Sequence, residues 1–193
     1  MAFYLPNLPT TLTLIRLLAS IIILPFLIVY LLPLNIFVLN GLIALLFLLI
    51  ALTDFFDGYF ARKYKLETSF GKELDHISDK FLVTSTLISL LAINKIYFFW
   101  ALLLILRELF LLALRLIATE SNLSLSVLFI GKLKTTFQFI MLSLIILNPD
   151  QNLGLTQSYW NIIESISIFF ALLFSLLSAF IYFNIFLKRY KFI

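Results

Sequence analysis

The sequence predicts an all-α integral membrane protein: six transmembrane helices, a short N-terminal interfacial segment and a polar cavity facing the cytoplasm. Three observations predict it. The 193-residue chain is 63% hydrophobic and only 12% charged, with a mean hydropathy of +1.11; a soluble domain carries about 25% charged residues. Its apolar residues fall into six stretches, each near the roughly 20 residues that cross a bilayer as a helix. Its basic residues gather at alternate breaks between those stretches. One membrane domain covering residues 1–193 accounts for the whole length.

Pro, Asn and polar clusters mark the breaks. The spans run from Thr11 to Leu32, Ile36 to Phe60, Lys72 to Ala92, Ile96 to Ile117, Leu125 to Leu147 and Tyr159 to Leu187, with ends uncertain by about four residues. The opening "MAFYLPNLPTTLTLIR" has no basic N-terminal region, and no small-residue cleavage site follows it. The first apolar run is therefore read as a membrane helix and not as a cleaved leader.

The breaks "LLPLN", "INK" and "LNPDQNLG" fall on one side of the bilayer. The breaks "ARKYKLETSFGK" and "ATESNLS", with both termini, fall on the other. Of the 14 lysines and arginines, only Lys95 lies on the first side. The positive-inside rule makes the second side cytoplasmic, in the cell inner membrane. A net charge of +4 is modest, and in a membrane chain it reports orientation, so it gives no reason to expect nucleic acid as a partner. Cysteine is absent, which excludes disulfides and thiolate metal sites.

Spans two to five are continuous hydrocarbon only in their outer halves. Their inner halves carry Asp54 and Asp57, then Asp75 and Asp79, then Arg107, Glu108 and Arg115, then Lys132 and Lys134. Charge facing lipid at that depth is costly, so these groups are expected to face one another or water. One shared cavity, open to the cytoplasm, follows. It suits an enzyme that draws a soluble substrate from the cytosol better than a transporter, which needs polar groups near the outer face as well.

Asp54 and Asp57 are three apart on a helix, and Asp75 and Asp79 four apart, so each pair shares one face. Four carboxylates in low dielectric repel one another and resist ionisation. Divalent cations relieve this, and oxygen-only ligands suit Mg²⁺, Mn²⁺ or Ca²⁺ rather than Zn²⁺. Two such ions form the clamp used in phosphoryl transfer. Gly58 leaves room for a close backbone approach, and Arg62 offers a permanent cation to phosphate. An isolated acidic pair at a membrane edge is ordinarily solvated surface. Four aspartates in register with two glycines and an arginine point to a site.

The segment "DFFDGYFARKYKLETSFGKELDHISD" resembles the signature of the CDP-alcohol phosphatidyltransferase family, D-x2-D-G-x2-A-R-x8-G-x3-D-x3-D, at every fixed position. "LPTTLTLIR", "RELFLLALRLIATE" and "IGKLKTTFQ" are similar to the corresponding segments of its bacterial branch that accepts glycerol 3-phosphate, the phosphatidylglycerophosphate synthases. Two positions depart from that branch: Thr10 stands where Asn is usual, and His76 where Pro is usual.

The resemblance implies a transfer of the phosphatidyl group from CDP-diacylglycerol to sn-glycerol 3-phosphate, releasing CMP, in a homodimer embedded in membrane lipid. It implies Asp54, Asp57, Asp75 and Asp79 as ligands of two Mg²⁺ (or Mn²⁺) ions and Asp79 as the general base. Gly58, Arg62 and Thr68 would bind CDP-diacylglycerol. Arg107 and Arg115, eight apart on one helix, join Lys132 in a cationic niche for the acceptor's phosphate. Lys134 and Arg16 stay open between such a niche and a snorkelling position at the interface. Other acceptors (inositol, inositol phosphate, serine, phosphatidylglycerol) are the nearest rivals, and a cation or phosphate transporter is the rival from another class.

Overall fold

The structure, a computed structural model, describes residues 8–63, 69–120, 129–148 and 155–190; among these, the side chains of residues 8–10, 12, 54–63, 69–73, 75, 76, 155, 156, 189 and 190 are not described. The described residues are helical, with no strand. In order they form α1 (Leu8–Leu18), a π-helical turn (Ala19–Ile23), α2 (Leu24–Leu31), a 3₁₀ turn (Leu32–Leu34), α3 (Phe37–Lys63), α4 (Ser69–Ala92), α5 (Phe98–Glu120), α6 (Phe129–Leu147) and α7 (Leu155–Tyr190). The stretch from α1 through the 3₁₀ turn is one continuous helical rod, so the described chain has six helical segments. Each coincides with an expected span to within four residues at either end. The N-terminal interfacial segment falls largely outside the described residues.

Three of these segments are long and apolar enough to cross a membrane: Thr13–Leu34, Phe129–Leu147 and Gln157–Lys188, with Phe37–Thr53 a shorter apolar helix. Ile15, Phe26, Val38, Leu42, Leu116, Phe169 and Phe180 all point outward and exposed. A soluble surface does not carry large side chains in such rows, and the chain has the makeup of a membrane protein.

The chain divides into two compact units, Met1–Lys95 with Ile146–Gln151, and Ile96–Ile145 with Asn152–Ile193. In the first, α1 and α2 pack on α3 and α4. Leu24, Ile28 and Leu32 of the first rod, Phe47 of α3 and Leu82, Leu87 and Leu90 of α4 are fully buried. Small polar residues let α4 come close to the rod, and Ser85 Oγ donates to the Ser20 carbonyl at 2.7 Å, the kind of interhelical hydrogen bond that lipid favours.

Pro25 explains the π turn. In a regular helix its ring would press on the Ile21 carbonyl, which it has no N–H to satisfy. The turn widens instead, and the Leu24 N–H reaches back five residues to the Ala19 carbonyl. The two turns read from "LLPLN" and "INK" are each closed by an asparagine in the left-handed region, Asn35 at φ 56° and Asn94 at φ 58°. After α4, Asn94 N–H donates to Leu91 O (3.1 Å) and Lys95 N–H to Leu90 O (2.9 Å), the paired bonds that close a helix C-terminus around a left-handed residue. The side chain of Lys95 then donates to the Asn148 carbonyl just past α6 at 2.6 Å. The one basic residue on the sparse side is thus used to cap a helix end.

In the second unit α5 packs along α7. Leu111, Leu114 and Ala118 of α5 meet Tyr182 and Phe186 of α7 in a buried cluster, and Phe110 and Phe183 lie with ring centroids 5.8 Å apart. Phe137 of α6 stacks on Phe174 of α7 at 4.7 Å.

Candidate active site

The acidic signature straddles one helical corner of the first unit. Asp54, Asp57, Gly58 and Arg62 lie in the last turns of α3, and Asp75 and Asp79 in the opening turns of α4. Since α3 and α4 pack together and are joined at this end, the signature's two halves belong to one end of one helix pair. The side chains of Asp54, Asp57, Arg62 and Asp75 are not described, and Thr68 lies outside the described residues altogether.

Asp79 is described, and it has a neighbour that sequence reasoning left open. Arg16, from the last turns of α1, is only 4% exposed. Its Nε donates to Ser78 Oγ at 3.0 Å, and its Nη1 stands 3.8 Å from Asp79 Oδ1. The Asp79 side chain is 38% exposed, so the pair joins a buried cation to a partly exposed carboxylate. A snorkelling arginine would extend to the interface; this one turns inward. The available signal was the spacing in "LPTTLTLIR" and the "LLAS" that follows, which puts Arg16 on the same helix face as Thr13 and Ser20, both buried.

The cations of the second unit divide into different environments. Arg107 is 7% exposed and Lys134 3% exposed, and Glu108, also 7% exposed, lies between them. Glu108 Oε1 accepts from Arg107 Nη1 at 3.0 Å and from Lys134 Nζ. Arg107 continues onto α7: Nε donates to the Ser175 carbonyl at 3.0 Å and Nη2 to Ser178 Oγ. Two turns further along α5, the Arg115 guanidinium lies over the Tyr182 ring, 5.8 Å from its centroid, a cation–π distance.

Both arginines of the expected niche therefore face α7. The two α6 lysines do not share a face. Residues two apart on a helix point in opposing directions, and it is Lys134 that turns into the buried network while Lys132 is exposed. Glu108, one of the charges expected to face one another and able to pair with either arginine, does pair with Arg107. Sequence reasoning missed its second partner, Lys134, and the anchors of Arg107, Ser175 and Ser178, which nothing in α7 marked.

The family model for CDP-alcohol phosphatidyltransferase matches residues 6–184. Among curated relatives, a protein of Rickettsia typhi is 38% identical over 178 residues, covering 92% of this chain and 96% of its own. One of Rickettsia bellii is 37% identical over 179 residues, 92% of this chain and 94% of its own. One of Wigglesworthia glossinidia brevipalpis is 43% identical over 143 residues, 69% and 73% of the two chains. All three carry the name CDP-diacylglycerol–glycerol-3-phosphate 3-phosphatidyltransferase. With the acidic signature complete at one helical corner and the family model extending nearly end to end, the chain belongs to the CDP-alcohol phosphatidyltransferase family.

Proposed function

We propose that this chain is the enzyme that transfers the phosphatidyl group from CDP-diacylglycerol to sn-glycerol 3-phosphate, giving phosphatidylglycerophosphate and CMP. The observation that carries this reading is the similarity of 92% of the chain to relatives bearing that name. The acceptor segments "RELFLLALRLIATE" and "IGKLKTTFQ" add to it.

In this reading the chain is a single six-span domain in the inner membrane, with both termini and its polar cavity on the cytoplasmic side. The distribution of lysine and arginine supports the orientation. A homodimer follows from family analogy alone.

The proposed chemistry assigns a role to each group. Asp54, Asp57, Asp75 and Asp79 would hold two divalent ions, and an all-carboxylate donor set fits Mg²⁺ or Mn²⁺. Bound there, such ions supply neutralisation of charge on the pyrophosphate and on the departing CMP. Gly58, Arg62 and Thr68 contact the nucleotide part of the donor. Asp79 takes the proton from the sn-1 hydroxyl of the acceptor, whose oxygen forms a bond to the phosphorus bearing diacylglycerol. The bond from that phosphorus to the CMP oxygen breaks, and CMP leaves with the electron pair. Arg107 and Arg115, together with Lys134, recognise the acceptor's own phosphate, a dianion that a charged fork binds well; Lys132, on the opposing face of α6, is left out of that group.

The test is CMP release by purified protein in detergent micelles, given CDP-diacylglycerol and one acceptor at a time. Glycerol 3-phosphate is expected to support turnover far above inositol, inositol phosphate, serine or phosphatidylglycerol. Turnover with serine and none with glycerol 3-phosphate would overturn the acceptor assignment.

A further inference from the structure

Arg107 and Lys134 carry like charge, both are buried, and they meet at a single carboxylate oxygen of Glu108. Two buried cations brought together without an anion would repel each other, and the lysine, on its flexible stem, would swing toward the membrane surface. The arginine has no such freedom. Its Nε and Nη2 are held by the Ser175 carbonyl and by Ser178 Oγ, and Ser178 Oγ is itself fixed by donating to Ser175 O at 2.9 Å. Constraint thus runs from α7 to Arg107, from Arg107 to Glu108, and from Glu108 to Lys134. Among the described side chains, two cations share the one carboxylate of Glu108.

We propose that Glu108 is a positioning residue for acceptor recognition: it holds Lys134 against the Arg107 that α7 anchors, so the cations are in place before the acceptor's phosphate arrives. This rests on reading the cluster as part of the acceptor site. A carboxylate in a phosphate niche weakens the raw attraction for a dianion. It compensates by sparing the substrate the cost of ordering the lysine side chain. Its effect belongs to glycerol 3-phosphate and not to the lipid nucleotide.

The experiment measures CMP release by the full-length enzyme in micelles against each substrate in turn, together with thermal unfolding. The variants are Glu108→Gln, Glu108→Asp, Lys134→Met and Glu108→Gln/Lys134→Met. Glu108→Gln is expected to raise KM for glycerol 3-phosphate at least about tenfold, as loss of one partner from a buried pair does, with KM for CDP-diacylglycerol unchanged. Glu108→Asp recovers part of the loss because the charge remains. The double variant is no worse than Lys134→Met, since a residue acting through Lys134 has nothing left to position.

If Lys134→Met leaves KM for glycerol 3-phosphate unchanged, the acceptor reading of this cluster fails. If Lys134→Met raises that KM while Glu108→Gln matches the parent enzyme, that reading stands and the positioning role fails. A Glu108→Gln enzyme that loses both substrates equally along with its melting temperature also overturns the role, reducing Glu108 to a packing element. Should Glu108→Gln fail to accumulate, Ser178→Ala, which alters no charge, gives the same readout. It is expected to raise KM for glycerol 3-phosphate alone by about fivefold, the usual size of one lost hydrogen bond, and no change overturns the proposal.

Discussion

Arg16 and Asp79 lie with guanidinium and carboxylate 3.8 Å apart, the arginine buried in the first helical rod and the aspartate partly exposed in the first half of α4. A carboxylate has two oxygens and can rotate. A neighbour that stands beside Oδ1 while bracing itself on Ser78 Oγ restricts that rotation, and with Asp79 proposed as the base it would help to place the base. Arg16→Gln is accordingly expected to lower kcat by about 10–100-fold through misplacement of the base. Arg16→Lys should recover little, because an ammonium cannot make both contacts in the guanidinium's plane. Steady-state kinetics at saturating CDP-diacylglycerol check this; an unchanged kcat in Arg16→Gln would remove the arginine from the reaction.

Asp79 and Asp54 are expected to fail differently. Asp79→Asn should still bind CDP-diacylglycerol but turn over about 10²–10⁴-fold more slowly, the contribution of a general base. Asp54→Asn should weaken nucleotide binding itself. Equilibrium binding of a CDP-diacylglycerol analogue, measured beside CMP release, separates the two; full turnover by Asp79→Asn would refute its assignment as base.

Chelation is expected to abolish CMP release. Mg²⁺ or Mn²⁺ should restore it and Zn²⁺ should not, since oxygen-only ligands disfavour the softer ion. A titration of each metal into chelator-treated enzyme gives the answer directly.

Lys95 offers a prediction about stability alone. Its side chain closes the end of α6 by donating to the Asn148 carbonyl. Lys95→Met should cost about 0.5–1.5 kcal/mol with catalysis unaltered, as thermal unfolding in micelles and the standard assay would record.

Asn94, at φ 58°, is expected to tolerate glycine and to resist valine. Asn94→Gly should leave the melting temperature near its starting value. Asn94→Val should cost about 1–2 kcal/mol, the strain of placing a branched Cβ in the left-handed region. Equal melting temperatures for both variants would count against this turn.

The six helical segments were legible because they depend on run length and on Pro and Asn breaks, which are local properties. Asn35 and Asn94 even mark the turns they close. The cations were harder to read. Depth follows from position along a helix, and it grouped Lys132 with Lys134; partnership follows from helix phase and from which neighbour arrives, and these separate them. Arg107 illustrates the same limit, because two of its hydrogen-bond partners among the described residues, Ser175 and Ser178, come from α7, where no sequence pattern marked them. The π turn had no visible sign beyond Pro25, since regular and widened turns are equally compatible with "ASIIILPF".

That turn has a further consequence for the first rod. Its inward positions, Arg16, Ser20, Leu24, Ile28 and Leu32, recur at every fourth residue, and in a regular helix each such step overshoots a full revolution by about 40°. The five residues Ala19–Ile23 wind more slowly, which lets the guanidinium end and the leucine end keep the same heading. The widened turn absorbs about one residue's rotation, so regular winding over the same residues would swivel Arg16 by about 100°, away from Ser78 and Asp79. Deleting one residue along with the widened turn would instead leave its heading nearly unchanged. The rod thus acts as a phase adjuster, and the heading of Arg16 depends on the turn after it staying wide.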